Sequence, residues 1–210
     1  MARNIIDYGT IAKQAKKIRE HGKQFNSEIE KIYSNLKNMH NCWHGERYNE
    51  LLTKFNQIIP QLNTILELVV GKIPYTLERI ANNYSLADKR ENETAANNEV
   101  PNKIENLTVT NDKGMGFLTE NVINMQREIS KCFERAKEQM NQIEVECSKM
   151  IWISMAAEKH EQKFAELKSE IICFLENIKI EFEKLMSQAE NDMRIVENLN
   201  NIGLNNKDSF

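Results

Sequence analysis

WHGERYNELLTKFNQIIPQLNTILELVVGKI, residues 43–73, and WISMAAEKHEQKFAELKSEIICFLENIKIEF, residues 152–182, are two versions of one pattern. Counted from Trp43 and from Trp152, large apolar residues coincide at six later positions: Phe55 with Phe164, Leu62 with Ile171, Ile65 with Phe174, Leu66 with Leu175, Val69 with Ile178 and Ile73 with Phe182. Unrelated amphipathic helices share a period. They do not share a tryptophan placed the same distance ahead of a phenylalanine, so the match points to internal duplication.

Working outward, Ile11, Ala15, Ile18, Phe25, Ile29, Ile32, Leu36 and Met39 fall at helical spacing and predict a first helix ahead of the Trp43 turn. The second stripe runs from Tyr48 through Phe55, Leu62, Leu66, Val69, Ile73, Leu77 and Ile80 to Tyr84, with Pro60 and Pro74 inside it. A proline inside a helix costs about 3 kcal/mol or more. Large stripe residues contribute roughly 1.5–3 kcal/mol each when buried, so kinks are expected at the prolines rather than helix ends. A third stripe, the cleanest, begins near Leu118 and passes through Val122, Ile129, Phe133, Ala136, Met140, Ile143 and Cys147. The fourth follows Trp152 from Phe164 to Ala189 and fades through Val196 into Asn200, Asn201 and Gly203, where a helix stop is expected. Residues 89–112 have little apolar periodicity and read as a polar linker. The predicted organisation is a hairpin over 1–88, that linker, a divergent second hairpin over 113–200 and a flexible tail over 201–210.

Three Pro and seven Gly in 210 residues favour an all-α fold. The net charge of −3 and interleaved acidic and basic residues offer no footprint for nucleic acid. Met1 to Lys13 has no uninterrupted apolar core and no small-residue cleavage site, so a standard signal peptide is not expected, and no stretch is apolar enough for a membrane span. Cys42, Cys132, Cys147 and Cys173 do not form the dense framework of a small secreted domain and are expected to be reduced.

Two helices cannot hide two apolar stripes from water, so each hairpin needs a partner. The simplest is the other hairpin, which gives a four-helix bundle in one chain. A linker of about 25 residues is long enough to run back along much of a ~60 Å helix. Exchange of hairpins between two chains, a homodimer, satisfies the same constraint.

Trp43-His44-Gly45 falls at the first hairpin turn, and Tyr84-Ser85-Leu86-Ala87-Asp88 closes the second helix with Tyr84 and Asp88 one turn apart. A Tyr-x-x-x-acid match arises by chance nearly once in such a chain, but Trp-x-Gly is much rarer, and here both fall at predicted helix boundaries. Together they resemble the WXG-motif family: short helical hairpins with Trp-x-Gly at the turn and Tyr-x-x-x-Asp/Glu after the second helix. The resemblance covers residues 1 to about 90 well and 113 to about 200 more loosely, because Trp152-Ile153-Ser154 replaces glycine by serine and no tyrosine motif follows Met193. The Ser154 hydroxyl is suited to cap the following helix.

The resemblance implies a substrate or co-secreted partner of the type VII secretion pathway of Gram-positive bacteria, recognised by its translocase ATPase and exported to the cell surface or medium. It also implies that one repeat supplies the turn and the other the tail of a two-part signal; antiparallel hairpins bring the Trp152 turn toward Tyr84 and Asp88. An intracellular adaptor or chaperone for the helical targeting domain of a secreted toxin is the alternative. No nucleophile elbow, phosphate loop or metalloprotease helix is present, so no catalysis and no cofactor are expected. His40, Cys42 and His44 read as an exposed polar turn rather than a metal site, and His21 and His160 as residues on solvated faces.

Overall fold

In the computed structural model, which describes residues 5–110 and 116–205, the four stripes form four long rods of an all-α bundle. The first is α1, Tyr8–Asn38, preceded by a two-residue strand β1, Ile5–Ile6. Asp7 caps it, its carboxylate accepting the Thr10 amide at 3.0 Å. After a 3₁₀ turn, Met39–Asn41, comes strand β2, Trp43–His44.

The second rod is continuous over 46–87: α2, Glu46–Leu66, one π turn, Glu67–Lys72, and α3, Ile73–Ala87. Neither proline ends it. Pro60 sits within α2, and Pro74 follows the π turn, where the Ile73 amide reaches back five residues to the Leu68 carbonyl. A π turn shifts the bonding register just ahead of the residue that has no amide to contribute. The rod stops in a Schellman turn, with Arg90 N–H donating to Ser85 O and Lys89 N–H to Leu86 O, both at 3.0 Å. Lys89 takes the left-handed conformation there, φ 60°.

The second half repeats the plan: strand β3, Gly116–Phe117, then α4, Thr119–Ser148, strand β4, Trp152–Ile153, and α5, Met155–Asn205. Asn200, Asn201 and Gly203, expected to end the last rod, lie inside α5. One glycine costs a helix only about 1 kcal/mol, and no proline follows it. The remainder of the expected tail, 206–210, and most of the Lys113–Gly116 entry to α4 lie outside the described residues.

The halves interlock antiparallel. Ile5 and Ile6 pair with Ile153 and Trp152, while Trp43 and His44 pair with Phe117 and Gly116. Each tryptophan turn therefore clasps the residues that lead into the other half's first helix. Flanking bonds repeat the symmetry: Asp7 N–H donates to Ile151 O and Leu118 N–H to Cys42 O, each at 2.8 Å. Between the clasps α1 and α4 run against each other along their length, burying Ile11, Ile18, Ile29, Ile129, Met140 and Ile143.

Helix α1 packs tightly on the second rod at Gly22, where a Cβ would lie 2.6 Å from the Val69 carbonyl oxygen. From there toward the Trp43 turn the two helices part, and the later part of a strap formed by residues 88–110 fills the space. This strap, expected as a linker, buries Ile104 and Leu107. Asparagines of the second rod hold its backbone in pairs of bonds. Asn63 gives Nδ2–H to Ile104 O and accepts from Ile104 N–H at 3.0 and 2.9 Å, and Asn56 does the same with Leu107 at 2.8 Å each. Asn82 treats Thr94 alike.

A buried ion pair locks the strap to both rods. Arg19 donates through Nε and Nη2 to Glu78 at 3.2 and 2.6 Å and also to Asn97 O at 2.7 Å, while Glu78 accepts from Asn97 N–H at 3.1 Å. A charge on a helix ordinarily faces water, but these two face a backbone that needs both a donor and an acceptor. Removing one partner of such a buried pair costs about 3–5 kcal/mol, whereas apolar replacement of both is close to neutral. Urea unfolding is expected to show Arg19→Ala destabilised by that order and the double variant Arg19→Met, Glu78→Leu nearer to wild type. Equal losses in both would show that the charges do not act as a pair.

Candidate functional site

The sequence singled out Trp43, Gly45, Tyr84, Asp88, Trp152 and Ser154, and the fold distributes them between opposite ends of the bundle. Trp43 and Gly45 stand at one end. Trp152, Ser154, Tyr84 and Asp88 stand at the other, because the start of α1 lies beside both the β4 turn and the close of α3.

At the Trp152 end the indole is buried against Ile6, and its ring lies 5.7 Å from that of His160, which stacks on Phe164. Indole Nε1 is buried without a hydrogen-bond partner. His160 is thus half-buried rather than solvated, and burial lowers its pKa, favouring the neutral ring. Ser154 Oγ accepts the Ala157 amide at 3.2 Å, the expected cap. Tyr84 packs half-buried on the core, whereas Asp88 is exposed. The Asp88 carboxylate accepts from Tyr8 Oη at 2.9 Å and pairs with Arg90 Nε at 3.2 Å. The bond to Asp88 raises the Tyr8 phenol pKa. Exposed Ile5, Ile151, Ile153 and Met155 surround this end.

At the Trp43 end the indole packs between Tyr48 and Phe117, each 5.5 Å away between ring centres. Gly45 adopts φ 115°, ψ −174°, a region essentially closed to residues with a Cβ. Ser154, at the matching place, has no positive φ. The two turns solve the same junction differently: one with a backbone path open to glycine, the other with a hydroxyl cap. The residues of α5 that correspond to Tyr84 and Asp88 are Met193 and Glu197. The complete turn therefore shares its end with the incomplete tail, and the divergent turn with the complete tail.

His40, Cys42 and His44 do not converge. The Cys42 thiol is buried, donating to Met39 O at 3.3 Å and lying 3.9 Å from the Met125 sulfur, while the two histidine rings stack edge-on at 5.5 Å. Among the described residues no group of three or more metal-ligating side chains is found. No disulfide links the described cysteines. Burial pushes the Cys132 thiol up to about 11 and the Cys147 thiol up to about 12, and it raises Cys42 as well. The side-chain clasps of the strap and the half-burial of His160 were beyond sequence reasoning, though the seven-residue spacing of Asn49, Asn56 and Asn63 was a signal for the first.

Gly45→Ala is expected to destabilise by roughly 1–3 kcal/mol. Ser154→Ala should cost about 1 kcal/mol and Ser154→Gly only a few tenths. Thermal or urea melts check this order, and a harmless Gly45→Ala would refute the strain argument. With a thiol-alkylating reagent at neutral pH, mass spectrometry should find exposed Cys173 modified first, with buried Cys42 and Cys132 protected until unfolding. Labelling of Cys132 in the folded protein at the Cys173 rate would contradict the burial.

No family model, no curated protein and no solved structure matches this chain.

Proposed function

We propose that the chain is a tandem WXG-like, non-enzymatic substrate or co-secreted partner of a type VII pathway, read by the translocase ATPase at the Trp152 end of the bundle. The observation that supports this reading is the meeting, at one end, of a tryptophan turn from one repeat and the Tyr84–Asp88 close of the other. In the family the sequence resembles, these two parts make the export signal, and they come from different subunits; here both belong to one chain. Tyr84 is half-held by the core while Asp88 is exposed, an arrangement suited to display a carboxylate from a fixed place. No described helix is long and apolar enough to cross a membrane, so the proposal has the translocase supply the path through it.

The alternative, an intracellular adaptor for the helical targeting domain of a toxin, draws support from the far end of α5, where apolar side chains remain exposed. The two readings separate in one assay. Culture supernatant and lysate are compared in cells with and without the translocase ATPase, for wild type, Tyr84→Ala and Trp152→Ala. Export is expected to require the ATPase and to fall severalfold in both folded variants. Retention of wild type in the lysate together with a co-purifying toxin would favour the adaptor. Unchanged export of Trp152→Ala would remove the two-part signal.

A further inference from the structure

The Trp43 end carries features that the export reading does not use. A cavity of ≈ 590 Å³ opens between the Trp43–Gly45 turn and α5, with Trp43, Phe117, Ala189 and Met193 as its apolar wall. That volume lies in the range of sites that take a bulky organic group. Among the described residues its rim carries Glu46, Glu50 and Asp192 against one cation, Arg47. Arg47 is already committed, donating to Asp192 Oδ2 and Glu50 Oε2 at 3.0 Å each. The rim is left with net negative charge.

Beside this cavity α5 outruns its neighbours. Arg47 and Asp192 make the last ion pair between the second rod and α5, yet α5 continues for the thirteen residues 193–205, about 20 Å at 1.5 Å per residue. The matching rod of the first half stops instead in its Schellman turn. The core stripe of α5 does not end with the core: Ala189, Met193, Val196 and Leu199 continue it at helical spacing, passing from buried to half-buried to 63% exposed at Leu199, with Ile195 alongside 47% exposed. Glu190 and Glu197 flank this face, with Arg194 as the one cation between them.

We infer that the Trp43 end is a docking surface for an amphipathic helix of another protein, lying along α5 from Met193 to Leu199, with one large apolar anchor in the cavity and lysine or arginine on its flanks. The unfinished stripe selects a helix, because a helical partner continues the packing that the bundle breaks off. The acidic rim selects its charge. This surface lies at the opposite end from Tyr84 and Asp88, so it stands whether or not the chain is exported.

The test is a selection from yeast-displayed helical peptides with leucine at helical spacing and Lys, Glu or Gln at the flanking positions, using the full chain as bait. Enriched helices are expected to be rich in lysine and to bind about tenfold or more weakly to Leu199→Ser and to Glu46→Gln, whose side chains are exposed, with folding checked by circular dichroism. Ile153→Ser at the other end should bind as wild type does. Enrichment of glutamate-rich helices, loss of binding in Ile153→Ser but not in Leu199→Ser, or no enrichment over a library lacking leucine would each overturn the proposal. Sedimentation of the bait alone covers the remaining occupant: a dimer abolished by Leu199→Ser would mean that a second copy takes this surface and no foreign helix does.

Discussion

A helical hairpin has two apolar stripes and only one internal interface, so some of its greasy surface must be covered from outside. In this chain α1 and α4 meet that need for each other, antiparallel and along nearly their whole length. The outer rods then close over what remains. Because each hairpin turn pairs with the residues ahead of the other half's first helix, the turns sit over the ends of this seam and bury both tryptophans. The arrangement follows the logic of a twofold dimer, in which the same patch is used twice, but with both patches on one polypeptide. One chain has to be led from the end of the second rod back to the start of α4, and that necessity gives rise to the strap.

The strap is held by a coincidence of two repeats. Seven residues of helix rise about 10.5 Å, and three residues of extended chain span about 10 Å. Asn49, Asn56 and Asn63 recur every seven residues on one face of α2, and they meet Thr110, Leu107 and Ile104, which recur every three in the opposite direction. Each asparagine presents an acceptor and a donor as a peptide group does, so the side chains of a helix can serve as the edge of a sheet for an extended neighbour. Ile104 and Leu107, whose backbones are clamped, bury their side chains and complete the core where α1 and α2 diverge. Buried backbone that would otherwise lack partners is thereby satisfied.

The two halves share a plan, yet the ends of the bundle are unequal. The first turn depends on a backbone conformation reserved for glycine, the second on a serine cap. The second rod is stopped by a Schellman turn that sends the chain into the strap, whereas α5, with no strap to form, continues as helix. One end thus joins a tryptophan turn to Tyr84 and Asp88, and the other joins a tryptophan turn to an acidic-rimmed hollow and a projecting helix.

Periodicity carried the helices, because the burial of one face of a rod leaves a 3.6-residue signature that needs no knowledge of what covers it. The repeated plan of the two halves was equally legible, since Trp43 and Trp152 head matching rows of apolar residues, and the Ser154 cap followed from a local bond between neighbours in sequence. What tertiary structure alone decided are the long-range pairings, such as Arg19 with Glu78 across 59 positions, and the making of a polar segment into part of the core. A charge on a helix reads as solvated until another backbone is laid over it. Nor did Asn200, Asn201 and Gly203 stop α5, for weak local preferences end a helix only when packing or a cap agrees with them. Sequence sets which face of each rod must be covered, because that depends on neighbours a few residues away; which polar groups the covering will bury depends on what lies across the gap.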